Sequence, residues 1–233
     1  MSHNLLTVTG LTKSFGGLKV LAGISFTVAP GEILGLVGPN GSGKTTCINV
    51  ISGLYKPDGG QVIFKGQSVT GKPLHVMAKA GVNRTFQIPK PFKGLTVKQN
   101  IEVVQHRQGA FQVVDNPLEF VGLQKFQDRD ASSLTSGQQK LLDLARALAS
   151  GPEMLLVDEL AAGLNPAELV EIARRLKHLS ERGVALLVVE HLLGFVNELT
   201  QRVIVMNAGK EIFEGDLDSA AKNERVVEVY LGQ

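Results

Sequence analysis

Gly38-Pro39-Asn40-Gly41-Ser42-Gly43-Lys44-Thr45-Thr46 decides how the rest of this chain is read. Gly38, Gly43, Lys44 and Thr45 fill the spacing G-x-x-x-x-G-K-[ST] of a phosphate-binding loop. Successive backbone N–H groups must point at phosphate oxygens there, and residues without Cβ let the chain approach closely. A helix opening at Lys44 adds its positive N-terminal end to the same anion. Lys44 then reaches the β- and γ-phosphates, and the Thr45 hydroxyl binds Mg²⁺. The alternative is a glycine-rich turn that fits by accident, expected in about one chain in a hundred of this length. The flanks decide between them. Ile33-Leu34-Gly35-Leu36-Val37 reads as a strand buried on both faces, and Pro30-Gly31 turns the chain into it. Residues 44–53 read as a helix with Cys47, Ile48, Ile51 and Leu54 on one side and Gly53 near its end.

The whole chain bounds the rest. Its 233 residues, 43% hydrophobic and 20% charged, suit one large globular core or two small ones. A net charge of +2 makes no electrostatic case for nucleic acid. The longest apolar runs, such as Val184 to Val189, are strand-length and far short of the roughly 18 residues a membrane span requires. Met1-Ser2-His3-Asn4 lacks the charged and apolar regions of a signal peptide. Cys47, the single cysteine, has no internal disulfide partner, which fits a reducing compartment. The expectation is a cytosolic protein, any membrane role of which must come through a partner.

The first thirty residues alternate as antiparallel strands: Leu6-Thr7-Val8, Lys19-Val20-Leu21 and Ile24 to Val28. Phe15 falls in the turn between the first two; an aromatic there could stack on a base or simply fill the edge of a small sheet. A short strand spans Gln61 to Lys65, a helix Leu74 to Ala80, and a strand Val82 to Phe86 that ends at Gln87. Pro89 and Pro91 then break the chain, and helical patterns follow at Val97 to His106 and Pro117 to Val121. Residues 88–133 read as a helical lobe inserted between 1–87 and 134–233.

Leu134-Thr135-Ser136-Gly137-Gln138 opens the clearest helix, with Leu141, Leu144, Ala145, Leu148 and Ala149 on its apolar face. Thr135 or Ser136 is either an ordinary N-cap or part of a second anion site at a helix start. Met154 to Val157 is another buried strand, and it ends in Asp158-Glu159. Paired carboxylates at the C-terminal end of a parallel strand lie where ligands bind in open α/β sheets. There Asp158 suits Mg²⁺ and Glu159 suits a base for water attacking the γ-phosphate; solvated turn carboxylates are the alternative. Asn165-Pro166-Ala167-Glu168 starts a helix, and the strand Val184 to Val189 ends in Glu190-His191. His191 could reach a γ-phosphate or be structural. A hairpin (Val203 to Met206, Glu211 to Phe213) and two short helices close the chain.

Taken in order, these residues resemble the ATPase subunit of ATP-binding cassette (ABC) transporters over essentially the whole chain. The resemblance implies an α/β fold: a P-loop NTPase (ABC ATPase) core with an N-terminal antiparallel β subdomain and an inserted helical subdomain. It matches Phe15 to the adenine-stacking aromatic, Gly38 to Thr46 to the Walker A loop, and Gln87 to the Q-loop glutamine. Leu134 to Gln138 match the signature motif, Met154 to Glu159 the Walker B strand and catalytic glutamate, Ala161 to Asn165 the D-loop, and His191 the switch histidine. By the same match, Thr45, Gln87 and Asp158 surround Mg²⁺, Lys44, Gln87, Glu159 and His191 serve hydrolysis, and Thr135, Ser136, Gly137 and Gln138 face the ATP of a partner copy. Arg84-Thr85-Phe86-Gln87, Leu160 to Pro166 and Tyr230-Leu231-Gly232 are similar to the branch serving uptake of branched-chain amino acids. The implied partners are a second ATPase subunit, permease subunits and, indirectly, a solute-binding protein. The implied location is the cytoplasmic face of a membrane.

The chain departs from the family pattern at four places: Ser136 replaces a glycine of LSGGQ, Leu160 a proline, Asn165 the D-loop aspartate, and Leu192 the aspartate after the switch histidine. Two other classes compete. A soluble cassette acting on nucleic acid is opposed by the near-neutral charge and the absence of metal-binding cysteines or a tandem cassette. A non-hydrolysing nucleotide binder is opposed by Lys44, Asp158, Glu159 and His191.

Overall fold

The computed structural model describes residues 4–105 and 113–231. Strands β1 (Leu6–Phe15) and β2 (Leu18–Val28) form an antiparallel hairpin around Gly16 and Gly17, whose φ angles of 54° and 88° favour glycine. These strands are longer than the alternation predicts, because register shifts at Val8/Leu11 and Lys13/Ser14 interrupt the period of two. Next come β3 (Ile33–Val37), α1 (Lys44–Ile51), β4 (Gly59–Phe64), β5 (Gln67–Ser68), α2 (Leu74–Ala80) and β6 (Val82–Arg84). Helix α1 stops short of the expected end. Gly53 turns left-handed at φ 80°, so Leu54 leaves the apolar face and stands 42% exposed.

The middle of the chain supplies α3 (Val97–Gln105), α4 (Pro117–Phe120) and α5 (Ser136–Ala149). His106, expected in the same helix as Val97, lies outside the described residues. Both α3 and α4 pack on α5, and Val97, Ile101, Leu118 and Leu123 join Leu141, Leu142, Leu144 and Leu148 in one buried cluster. That cluster continues without a break to Leu155, Val157, Leu186 and Val188 of the sheet. The chain then adds β7 (Met154–Asp158), α6 (Pro166–Glu181), β8 (Ala185–Val189), α7 (Leu193–Leu199), β9 (Arg202–Asn207), β10 (Lys210–Gly215), α8 (Leu217–Ala220) and α9 (Glu224–Leu231). Helix α7 has no counterpart among the sequence expectations: it is short, lacks a side-chain N-cap, and buries only Phe195, Val196 and Leu199.

Two sheets result. One is antiparallel, in the order β2-β1-β4-β5; the other runs β10-β9-β3-β8-β7-β6. In the larger sheet β9, β3, β8, β7 and β6 are parallel, and β10 is an antiparallel edge. Strands β3, β7 and β8 are buried at every residue, which explains their unalternating apolar sequence. Leu155 and Val157 face the helices α5 and α6, while Met154 and Leu156 share the opposite core with Cys47, Ile48, Ile51 and the antiparallel sheet. Each buried aliphatic side chain of this kind contributes about 1.5–3 kcal/mol. Because the strands are parallel, the segments after β3, β8, β7 and β6 all emerge on one edge, in that spatial order. No helix among the described residues is long and apolar enough to cross a membrane.

Two glycines test this packing. A Cβ at Gly35 would lie 2.9 Å from Val203 Cγ1 and 3.1 Å from Val196 Cγ1, whereas one at Gly194 in α7 meets nothing within 4 Å. Urea denaturation should show Gly35→Ala losing about 1–3 kcal/mol and Gly194→Ala gaining about 0.5–1 kcal/mol. Complete burial pushes the Cys47 thiol from 9.0 to about 12. The unfolded chain therefore ionises first, and stability falls as pH rises through that interval. Cys47→Ala should flatten this alkaline limb of the stability profile.

Candidate functional site: the nucleotide edge of the parallel sheet

The loop after β3 turns on Gly38, Gly41 and Gly43, with φ of 144°, 78° and 103°. Two of these glycines are also required by crowding from the protein itself. A Cβ at Gly38 would fall well inside contact distance of the Met206 carbonyl oxygen, and one at Gly43 would lie 2.8 Å from that of Val20. Gly43 is the N-cap of α1 and offers its first turn no side-chain acceptor. The end of this helix is therefore left to an external anion. Lys44 Nζ donates to the carbonyls of Gly38 (2.7 Å) and Pro39 (2.9 Å) and more weakly to Ser42 Oγ (3.4 Å). Burial lowers its pKa, while the charges of Glu159 and Asp158 oppose that shift. A cavity of about 250 Å³ opens over this loop, lined by Asn40, Gly41, Gly43, Lys44, Thr45 and Thr46 from below and by Gln87, Glu159 and His191 from the neighbouring strand ends.

Asp158 ends β7 with 1% exposure. Its N–H donates to Thr85 Oγ1 (3.0 Å), its Oδ2 accepts from Arg84 Nη2 (3.4 Å), and its Oδ1 has no hydrogen-bond partner. Burial, with Glu159 adding to it and Arg84 opposing, pushes the carboxyl up to about 6. A buried carboxylate oxygen without a partner is costly unless a cation completes it. An unpartnered carboxylate oxygen beside a phosphate loop fits Mg²⁺, which takes one or two protein oxygens and leaves its remaining positions to water and phosphate. Among the described residues no cluster of three His, Cys, Asp or Glu side chains forms a cage able to hold a metal by itself.

Glu159 follows at φ 49°, a conformation a non-glycine residue adopts at a cost of about 1–3 kcal/mol. Its N–H donates to the Val189 carbonyl (2.9 Å), and its own carbonyl accepts from Lys140 Nζ of α5. Gln87 Nε2 donates to Glu159 Oε2 at 2.7 Å, and His191 Nε2 lies 2.7 Å from Oε1. Against an ionised carboxylate, which only accepts, His191 donates from Nε2. Three residues that the sequence places separately thus meet at one carboxylate.

Other expected site residues stand apart from this cavity. Phe15 ends β1 at 42% exposure, with its ring edge-on to Tyr55 (5.2 Å between centroids, 74° between planes) and Lys13 Nζ 5.3 Å from its centre. Thr135 is the N-cap of α5 in a full capping box: its Oγ1 accepts from Gln138 N–H (3.3 Å), and its N–H donates to Gln138 Oε1 (3.1 Å). Ser136 is exposed. Gly137 is needed for a different reason than approach to a phosphate. A Cβ there would collide with the Gly163 carbonyl oxygen of the loop before α6. An aspartate at 137 would therefore disturb its own chain, and Ser136 is the cleaner place to perturb this helix start.

Three residues escape the sequence reading. Lys140 tethers the Glu159 carbonyl. Arg84 reaches Asp158. Glu190, 3% exposed, accepts from Ala161 N–H at 2.7 Å and has its carboxyl pushed up by burial. Two of them carry a signal: Arg84 and Glu190 are charges set inside or directly after apolar strands, where a partner is obligatory.

A family model described as "ABC transporter" matches residues 21–162. The probable branched-chain amino acid transport ATP-binding protein LivG of Archaeoglobus fulgidus is 39% identical, over 98% of this chain and 95% of its own length. A crystal structure of a nucleotide-free ATP-binding cassette from an ABC transporter superposes with a TM-score of 0.86 at 32% identity, over 99% of this chain and 100% of that one. A dimeric, post-hydrolysis cassette bound to ADP and Pi is similar at a TM-score of 0.81 and 26% identity, over 91% of this chain and 98% of that one. The chain belongs to the ABC transporter family, as an ATP-binding subunit of the ATPase class.

The clamp on Glu159 predicts a conditional role for its two partners. Gln87→Ala and His191→Ala should each free one carboxylate oxygen without touching the phosphate loop. Each should leave ADP binding in EDTA, by calorimetry, near the parent value while lowering hydrolysis; loss of that binding in both would contradict the geometry.

Proposed function

We propose that the subunit hydrolyses MgATP in a head-to-tail pair and thereby energises import of branched-chain amino acids, or a related amide, through separate permease subunits. The observation that carries this reading is the convergence of Gln87, Glu159 and His191 over the phosphate loop. In it, the backbone from Gly38 to Thr46 cradles the phosphates, with Pro39, Asn40, Gly41 and Ser42 forming the loop's turn. Lys44 leaves its resting carbonyl partners for the β- and γ-phosphates, and Phe15 packs on the adenine. Thr45, Asp158 and Gln87 hold Mg²⁺, which when bound neutralises phosphate charge and polarises the γ-phosphoryl group. Glu159 takes the proton of the attacking water, and His191, protonated on Nε2, donates toward the γ-phosphate oxygens. Glu159 has both oxygens occupied in the free subunit, so base function requires the clamp to open.

The helix start at Thr135, Ser136, Gly137 and Gln138 lies outside the cavity of its own chain. We assign it to the nucleotide of a second copy, or of a paralogous subunit, where its N–H groups and the exposed Ser136 hydroxyl meet the γ-phosphate. The name of the Archaeoglobus relative supports the substrate class, and the solved dimer supports the pairing. Residues 88–133 form, in this reading, the lobe that meets the permease, against a core of 1–87 and 134–233. Exposed Phe86, Ile88 and Phe92 beside Gln87 support that contact, with Ile88 at 73% exposure. The subunit then works at the cytoplasmic face, reached by a solute-binding protein only indirectly, and without nucleic acid.

Glu159→Gln should retain ATP binding and lose about 10²- to 10⁴-fold in hydrolysis, while Lys44→Ala should weaken binding itself. Parent-rate turnover by Glu159→Gln would remove the base assignment. Cysteines placed at Ile88 and Phe92 should crosslink to a permease in the assembled transporter; crosslinks confined to the ATPase pair would remove the lobe assignment.

A further inference from the structure

Arg84 ends β6 as a buried cation that the hydrolytic reading leaves unused. Its Nη1 donates to Asn49 Oδ1 at 2.6 Å and to Ser52 Oγ at 2.9 Å, both at the far end of α1. Its Nη2 donates to Asp158 Oδ2 at 3.4 Å, its Nε donates to the Thr85 carbonyl at 3.1 Å, and its Cζ lies 4.5 Å from the centre of the Phe86 ring. A buried guanidinium is expensive to desolvate, and burial lowers its pKa against the fields of Asp158 and Asp143. Stability alone is a poor reason to keep it, since an apolar replacement of similar volume is often neutral or better. Its geometry offers another reason. The planar fork fixes several acceptors at once, which a lysine ammonium cannot do.

Three of those acceptors tie together the elements that carry Thr45 and Asp158: Asn49 lies in the last turn of α1, Ser52 caps its C-terminus, and Asp158 belongs to β7. Thr45 lies in the first turn of α1, and Asp158 ends β7. One oxygen of Asp158 turns to Arg84, and its N–H is held by Thr85 Oγ1, which leaves Oδ1 as the free acceptor.

We propose that Arg84 is the positioning residue of the Mg²⁺ site, fixing the Asp158 carboxylate and the spacing of α1 from β7 so that the metal couples to the nucleotide. The inference rests on the assignment of Thr45 and Asp158 above. Arg84 touches neither nucleotide nor metal; it acts through the carboxylate.

Calorimetric titration of the full chain with ADP, in Mg²⁺ and in EDTA, separates these roles. In the parent, Mg²⁺ should tighten ADP binding, and a parent without that effect would remove the metal assignment itself. Arg84→Lys keeps the charge but not the fork, and should weaken binding in Mg²⁺ by about 10- to 100-fold, as loss of a ligand-orienting partner typically does. Its affinity in EDTA should match the parent's. A parent-like effect of Mg²⁺ in Arg84→Lys, or a parallel loss with and without the metal, would overturn the inference. Asp158→Asn distinguishes failure of the site itself. If it retains the parent's Mg²⁺ effect, the metal assignment falls; if it loses the effect while Arg84→Lys keeps it, only the Arg84 inference falls. Should thermal melts show Arg84→Lys unfolded, Asn49→Ala removes one anchor of the guanidinium while leaving the ion pair. It should then show a smaller loss confined to Mg²⁺, and a parent-like Mg²⁺ effect there would count against Arg84.

Discussion

The ion pair between Asp158 and Arg84 is the interaction on which this site depends. A carboxylate at the end of a fully buried strand has lost its water, and burial raises its pKa accordingly. Arg84 on one side and the field of Lys44 on the other keep an anion affordable there. The dependence is mutual: the charges of Asp158 and Glu159 oppose the desolvation that would otherwise depress Lys44 further. Removing any one of these charges leaves the others uncompensated in a poorly solvated edge, a larger penalty than loss of a surface pair.

Around that charge balance the backbone holds Glu159 in a left-handed conformation. Its N–H and carbonyl are both fixed, by Val189 and Lys140, so the residue has little freedom except in its side chain. The side chain in turn is shared by Gln87 and His191. Gln87 comes from the segment after β6, Lys140 from α5, and His191 from just past the end of β8. A shift of any of these three segments would therefore change a contact of Glu159. Glu190 adds a fourth path, since it ties the segment after Glu159 to the strand carrying His191.

Much of this was legible in the sequence because the signals are local. A glycine loop between an apolar strand and a helix, or a strand ending in two carboxylates, carries its own reading; β3, β7, α6 and β8 fall where expected, and α1 starts where expected though it ends early. The order of strands in the sheet is not local, so nothing in the sequence by itself brings Gln87 and His191 onto the same carboxylate. Glycine proved deceptive for the same reason. Gly38 and Gly137 fit a phosphate motif, but the atoms that exclude a Cβ at these positions are the carbonyls of Met206 and Gly163, 168 and 26 residues onward as numbered. Helix α7 was missed because seven residues with three buried positions carry too little periodicity to register. Arg84 drew notice only as part of a motif, while its partners Asn49, Ser52 and Asp158 were scattered over the chain.

The central claim is that one chain's phosphate loop and another chain's α5 start complete a shared nucleotide site. A crystal structure of Glu159→Gln grown with MgATP tests it most directly. The account predicts two chains head to tail, each ATP lying between residues 38–46 of one and residues 135–138 of the other, with the Gln87 and His191 side chains turned from residue 159 toward the nucleotide. ATP seated on 38–46 of a chain whose partner presents any other surface, with 135–138 facing solvent, would contradict it.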